Sequence, residues 1–204
     1  MPNWCLTIFK FHGSEKDLEI FDQKITEWTS KNFAQNDFGY EWLGNILYGA
    51  GLQDRIDNPD PEKCLACRGN IIGSSCGCVD GTMDVWVESA WVPMAKMWAE
   101  VIKVLGLDID FSFSAEEPGC ELYWNYDPGY GDFDDFEVHI CIDLDDKGFE
   151  EYTTEEDAVE MLNDIYHLNA TDLDSAIAKC QKLIKSDDDY ISVNRFLFIK
   201  EFDE

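Results

Sequence analysis

The chain has 204 residues, of which 45% are apolar and 14% aromatic, and its 43 acidic against 15 basic residues give a formal net charge of −28. That apolar content supports a packed core, as one large domain or a domain with a small appendage, and excludes disorder of the chain as a whole. No stretch reaches the roughly 18 to 20 apolar residues of a membrane span, and so acidic a surface opposes direct binding to nucleic acid or an anionic membrane.

The first residues, Met1-Pro2-Asn3-Trp4-Cys5, have neither the basic start nor the apolar run of a signal peptide, which predicts a cytoplasmic protein with reduced cysteines. Asn3 to Phe11 reads as a strand with both faces apolar, as expected in the middle of a sheet. Ser14 with Asp17 marks a helix start, and Leu18, Phe21, Ile25 and Trp28 form its stripe, to about Ser30. Lys31 to Pro61 is apolar in places without clean periodicity, a short helix or strand inside a packed loop, and Asn58-Pro59-Asp60-Pro61 reads as an exposed linker.

Cys64, Cys67, Cys76 and Cys78 follow with the spacing C-x2-C-x8-C-x-C. Four thiolates within 15 positions can enclose a structural Zn²⁺, which would hold a loop and leave no open position for catalysis. Ordinary reduced cysteines, a disulfide or an iron-sulfur site are the alternatives. Residues 68–75 between the pairs read as a strand of the sheet or as a turn.

Thr82 to Glu88 alternates, with Met83, Val85 and Val87 on one side and Asp84, Trp86 and Glu88 on the other. Ser89 and Pro93 open a helix whose apolar face is Met94, Met97, Trp98, Val101, Ile102 and Leu105, and Gly106 ends it. Leu107, Ile109, Phe111 and Phe113 alternate with polar residues in a further strand. Glu117-Pro118-Gly119-Cys120 predicts a type II turn, with the positive φ at Gly119, returning the chain as Glu121 to Tyr126. Val138, Ile140 and Ile142 mark another strand and Asp143 to Gly148 a turn. Thr153 with Glu156 and Thr171 with Asp174 predict two capped helices. Tyr190 to Phe202 closes the chain as one strand.

Three segments, Met1-Pro2-Asn3-Trp4-Cys5, Ala90-Trp91-Val92-Pro93-Met94 and Ala115-Glu116-Glu117-Pro118-Gly119-Cys120, together resemble a ferredoxin-like family of phage, plasmid and bacterial proteins that begin MPNWC. The resemblance covers roughly residues 1 to 145. It implies a β-α-β-β-α-β fold and a mobile-element context, and no particular reaction; the cysteine cluster stands outside its pattern.

The expected architecture is therefore α+β. A ferredoxin-like antiparallel sheet with covering helices spans 1–148, with a cysteine-rich insertion at about 53–81. A helix-helix-strand extension over 149–204 packs on the same sheet. Charge concentrates toward the C-terminus, where residues 101–204 hold 28 acids and 7 bases against 15 and 8 in residues 1–100. This points to a non-enzymatic interaction protein that binds a basic protein surface, a DNA mimic or anti-defence factor being one form. The competing reading is a small-ligand protein or enzyme with a pocket at Glu116 and Glu117, although neighbouring residues at a strand end face opposite sides. Trp86 and Trp91 are further candidate binding residues. His139 and Cys141 share a strand face, as any residues two apart do, so they count as structural. Asp143, Asp145 and Gly148 fit part of a calcium loop, but Lys147 and Thr154 break it.

Overall fold

The computed structural model describes residues 3–31, 37–77, 80–144 and 147–202, Cys76 and Gly77 as backbone only. It is an α+β structure of two compact units, residues 1–130 with 199–204, and residues 131–198.

Alternation along β1 (Trp4–Gly13) buries Cys5, Thr7, Phe9 and Phe11 and leaves Trp4 and Leu6 exposed. The apolar character of both faces fits its place in the sheet. β1 pairs antiparallel with β3 (Thr82–Ala90) on one side and β4 (Ile109–Glu117) on the other. β2 (Gly69–Gly77) adds outside β3 and β5 (Leu122–Tyr126) outside β4, both antiparallel. The strand order is β2-β3-β1-β4-β5, with β9 (Leu197–Ile199) in the sixth place.

The register aligns Phe9 with Val85 and Phe113, which turns one face of the sheet into an aromatic floor. On this face lie α1 (Glu15–Thr29), α2 (Leu43–Gly49) and α3 (Ala95–Leu105), whose buried side chains join the same core. Ser14 caps α1 by accepting from the Asp17 N–H at 3.1 Å, and Leu18, Phe21, Ile25 and Trp28 form the buried stripe as expected. α3 ends at Gly106, whose φ of 66° is the left-handed stop that glycine supplies without a Cβ penalty. Trp98 of α3 stands 5.8 Å from Phe9 and 5.5 Å from Phe11, and Phe21 of α1 stands 4.9 Å from Phe11. Tilted ring pairs of this kind contribute about 0.5–1.5 kcal/mol each beyond their buried area.

The expected insertion at 53–81 is shorter, because residues 69–77 are a strand of the sheet. Gly69, Gly73, Ser74 and Ser75 carry no apolar alternation to announce it, and a bulge between Ile71 and Gly73 breaks its period. Gly69 is required there, since a Cβ would lie 2.5 Å from the Glu88 carbonyl oxygen.

The second unit has its own sheet, β7-β6-β8, in which β7 (Lys147–Thr153) and β8 (Tyr190–Arg195) both run antiparallel to β6 (Val138–Leu144). α4 (Glu155–Tyr166) and α5 (Leu173–Cys180) supply Ala158, Leu162, Leu173, Ala176 and Cys180 to a core with Val138, Ile140, Ile142 and Leu144. The division between units therefore falls at 130/131 and not at 148/149. β6 belongs with the C-terminal elements because its partners come from them. β7 escaped the sequence reading because it is exposed or half-buried on both faces. The single strand expected over Tyr190–Phe202 is interrupted at Phe196, whose N–H donates to the Glu137 carbonyl at 2.8 Å, and β8 pairs with β6. Thr154 caps α4 and Asp172, in a capping box with Ser175, caps α5, each one residue beyond the expected cap. Among the described residues no helix is long and apolar enough to cross a membrane.

Candidate binding pocket beside Trp91

Asn3, just before β1, ties together the three segments that the resemblance singled out. Its carbonyl accepts from the Trp91 N–H at 3.1 Å, and its Nδ2 donates to the Cys120 Sγ at 3.7 Å. Gly119 allows this approach, since a Cβ there would lie 2.4 Å from Asn3 Nδ2. The hairpin turn differs from the type II expectation. Pro118–Cys120 form a 3-10 turn and the positive φ, 54°, falls on Glu121. Gly119 is thus needed for space, not for conformation.

Glu116 and Glu117 do not form an acid/base pair. Glu117 is buried, and its Oε1 accepts from the Gly119 N–H at 2.9 Å, which fastens the turn. Its hydrogen bond to Cys120 is the main cause that raises that thiol's pKa, with a smaller effect of burial. Glu116 is half-buried on the opposite side of β4, across from Leu6 and Tyr123. The Tyr123 phenol is raised by burial first and then by these two carboxylates.

The cavity lies instead along the link between β3 and α3. It encloses about 650 Å³ and is lined by Trp91, Val92 and Met94 of that link, by Trp4, by Phe38 and Trp42, by Ile56 and Asp57, and by the run from Cys64 to Asn70. The link is strained. Trp91 (φ 68°) and Met94 (φ 63°) both adopt the left-handed conformation, which costs a bulky residue about 1–3 kcal/mol. Hydrogen bonds hold it there: Ser89 Oγ to the Val92 carbonyl at 2.7 Å, Val92 N–H to the Ala90 carbonyl at 2.9 Å, and Ala90 N–H to the Arg68 carbonyl at 2.8 Å. Trp42 packs its ring where a side chain on Gly44 would be, 2.2 Å from the position of a Cβ, and Phe38 stands 5.1 Å from it.

Two of the four candidate zinc ligands, Cys64 and Cys67, reach this wall. Burial, with lesser contributions from Asp57 and Cys64, pushes the Cys67 thiol up to about 12, so it presents a neutral S–H. The Cys76 side chain and the whole of Cys78 lie outside the described residues. The backbone does place Cys76 opposite Met83, at the far end of β2 from Gly69. Seven strand steps between Gly69 and Cys76 amount to on the order of 20 Å, whereas thiolates around one zinc, at about 2.3 Å bonds, stand within about 4 Å of one another. This separation argues against one ion shared by all four. Among the described residues no group of three or more His, Cys, Asp or Glu is arranged to hold a metal.

Of the other candidates, Trp91 lines the cavity and Trp86 does not. Trp86 is half-buried opposite Ile8 and Gly73, on the sheet face away from Val85 and Val87. His139 Nε2 meets Glu150 at 3.0 Å and Cys141 meets the Tyr190 hydroxyl at 3.3 Å, so the two share a face with separate partners. Arg68, Trp42, Phe38 and Asp57 were not foreseen. For Phe38 and Trp42 the sequence signal is a cluster of aromatics over 38–48 without the period of a helix or strand; Asp57 and Arg68 carry none.

No known protein family matches the chain, no curated protein matches its sequence, and no solved structure matches its fold.

Proposed function

We propose that the chain is a non-enzymatic binding protein of the ferredoxin-like type whose acidic second unit engages a basic protein surface in the cytoplasm. A DNA mimic or anti-defence factor of a phage or plasmid is one specific form. The ferredoxin-like reading is supported by the order β2-β3-β1-β4, with α1 in the β1–β2 connection and α3 in the β3–β4 connection.

One observation carries the functional reading. Residues 131–198 hold 19 carboxylates and 5 lysines or arginines. Of those cations, Arg195 is taken by Glu155 at 2.6 Å and Asp174 at 2.9 Å, and Lys179 and Lys147 donate to backbone carbonyls. Carboxylates therefore stand in large excess over their available partners, and a complementary cationic surface would be attracted over about 10 Å at 0.1 M salt.

The test is co-purification of the full chain from host lysate in parallel low- and high-salt washes, then affinity measurement with the purified partner. Reversal of the exposed Glu156, Asp157 and Glu160 to lysine should weaken a genuine complex by about tenfold or more. Binding that survives high salt, or is indifferent to these reversals, overturns the proposal.

A second reading, a small-ligand protein, is favoured by the cavity beside Trp91. That cavity is lined by residues other than Glu116 and Glu117, and these two carboxylates stand on opposite sides of β4.

A further inference from the structure

We propose that the cavity beside Trp91 binds a planar aromatic monoanion, its ring held among the indoles and its negative charge on the Arg68 guanidinium. This rests on the small-ligand reading and names the ligand class for it.

The volume, about 650 Å³, falls within the range of small-molecule sites. Trp4, Phe38, Trp42 and Trp91 offer flat apolar surfaces, and offset or edge-on contact with a ring is the arrangement such surfaces favour. Arg68 supplies the polar anchor. Nearby cations are spent on carboxylates, Arg55 and Lys103 on Glu100 and Lys63 on Asp60. Among the described residues Arg68 pairs with no carboxylate. Its guanidinium carbon lies 5.3 Å over the centre of the Trp91 ring, which sets the cation beside an indole that lines the cavity.

The same surroundings limit the charge. One arginine lines the cavity, Asp57 lines it too, and the whole chain carries −28. A single negative charge is compensated there, whereas a di- or triphosphate would face the chain's repulsion with one cation to offset it. A ring N–H or hydroxyl is the group that Asp57 can accept. The left-handed Trp91 and Met94 fix this wall before a ligand arrives, so little ordering remains to be done on binding.

Two fluorescent probes with the same rings provide the test on the full-length protein. These are 1-anilinonaphthalene-8-sulfonate, which is anionic, and N-phenyl-1-naphthylamine, which is neutral. Binding is followed by probe emission and by quenching of tryptophan. Both should bind saturably at one site, and Trp42→Ala should weaken both. Arg68→Gln, at an exposed position, should weaken the sulfonate probe about tenfold and the neutral probe less than about twofold. Equal effects on the two probes, or none, overturn the anion assignment while leaving a ring-binding cavity. Binding of neither probe overturns both the assignment and the small-ligand reading.

Discussion

Replacing Gly119 with alanine tests whether the Asn3 corner is packed as tightly as described. The new Cβ would sit 2.4 Å from Asn3 Nδ2 and 2.9 Å from Glu117 Oε1, where ordinary contact begins at 3.4 Å, so the Asn3 amide must retreat by about 1 Å. The backbone of Gly119 is not left-handed, so no conformational penalty adds to this. Asn3 and Gly119 are exposed and the amide is the free end of a flexible side chain, so it can swing aside at the cost of its Nδ2–Sγ bond to Cys120 and a tight contact with buried Glu117, about 0.5–1 kcal/mol in all. With an m-value of about 2 kcal/mol/M the urea midpoint should fall by about 0.25–0.5 M. All seven tryptophans lie within residues 1–130, so tryptophan fluorescence follows the first unit without a signal from residues 131–198. The decisive comparison is a cycle with Asn3→Ala, which removes the obstructing amide. In that background Gly119→Ala should cost about half as much as in the native chain, or less. An equal cost in both backgrounds, or almost none in the native chain, would refute the packing argument.

Three further outcomes follow from the first unit. Burial is the largest single influence on Glu100 and raises its pKa, but the hydrogen bond and charge of Arg55, with Lys103, leave it below its ordinary 4.5. A lowered folded-state pKa contributes stability above the unfolded value that is lost as pH falls through the folded one; the unfolding free energy from urea titrations between about pH 5 and 3 should therefore fall more steeply in the native chain than in Glu100→Gln, by about 1 kcal/mol or less. Iodoacetamide at pH 8, read by peptide mass spectrometry, should label exposed Cys120 well before buried Cys67, since a thiol held at about 12 is roughly 10⁻⁴ ionised there. Zinc content of protein grown with the metal should be below one equivalent and indifferent to Cys76→Ser. One full equivalent that is lost on both Cys67→Ser and Cys76→Ser would refute the strand-length argument.

Strong periodicity made most of the first sheet legible. Phe9, Val85 and Phe113 were each assigned to the correct face, because a residue one step out of register would carry an apolar ring into water. The edges were harder to read. β2 is rich in glycine and serine, and β7 is exposed or half-buried on both faces, so neither had a buried side to impose alternation. The boundary was misplaced because β6 reads like any strand, and nothing in Val138, Ile140 and Ile142 says which partners it will take. As a binding site the cavity was legible through Trp91, while Cys64 and Cys67 on its wall had been singled out for a metal. Its other walls come from segments 38–42 and 56–70, brought beside the β3–α3 link by long-range pairing such as Trp42 with Asn70, which no local pattern encodes. The paired glutamates drew attention for their chemistry, while the strand period itself already separated them.

Salt separates the two proposed binding modes by sign. A basic partner held by the carboxylates of residues 131–198 is attracted at long range, and its affinity should fall as the Debye length shortens from about 30 Å at 0.01 M to about 10 Å at 0.1 M. The anionic probe in the cavity meets one attraction at contact, from Arg68, and a long-range repulsion from a chain with 43 acidic residues. Contact pairs in a partly enclosed site are screened less than distant ones, so added salt removes more repulsion than attraction. Sulfonate binding should hold or tighten over the same interval, and the neutral probe should stay level. A sulfonate affinity that drops as steeply as that of the basic partner would mean that Arg68 acts as an ordinary solvated surface charge, and the cavity would then lose its claim to an anion.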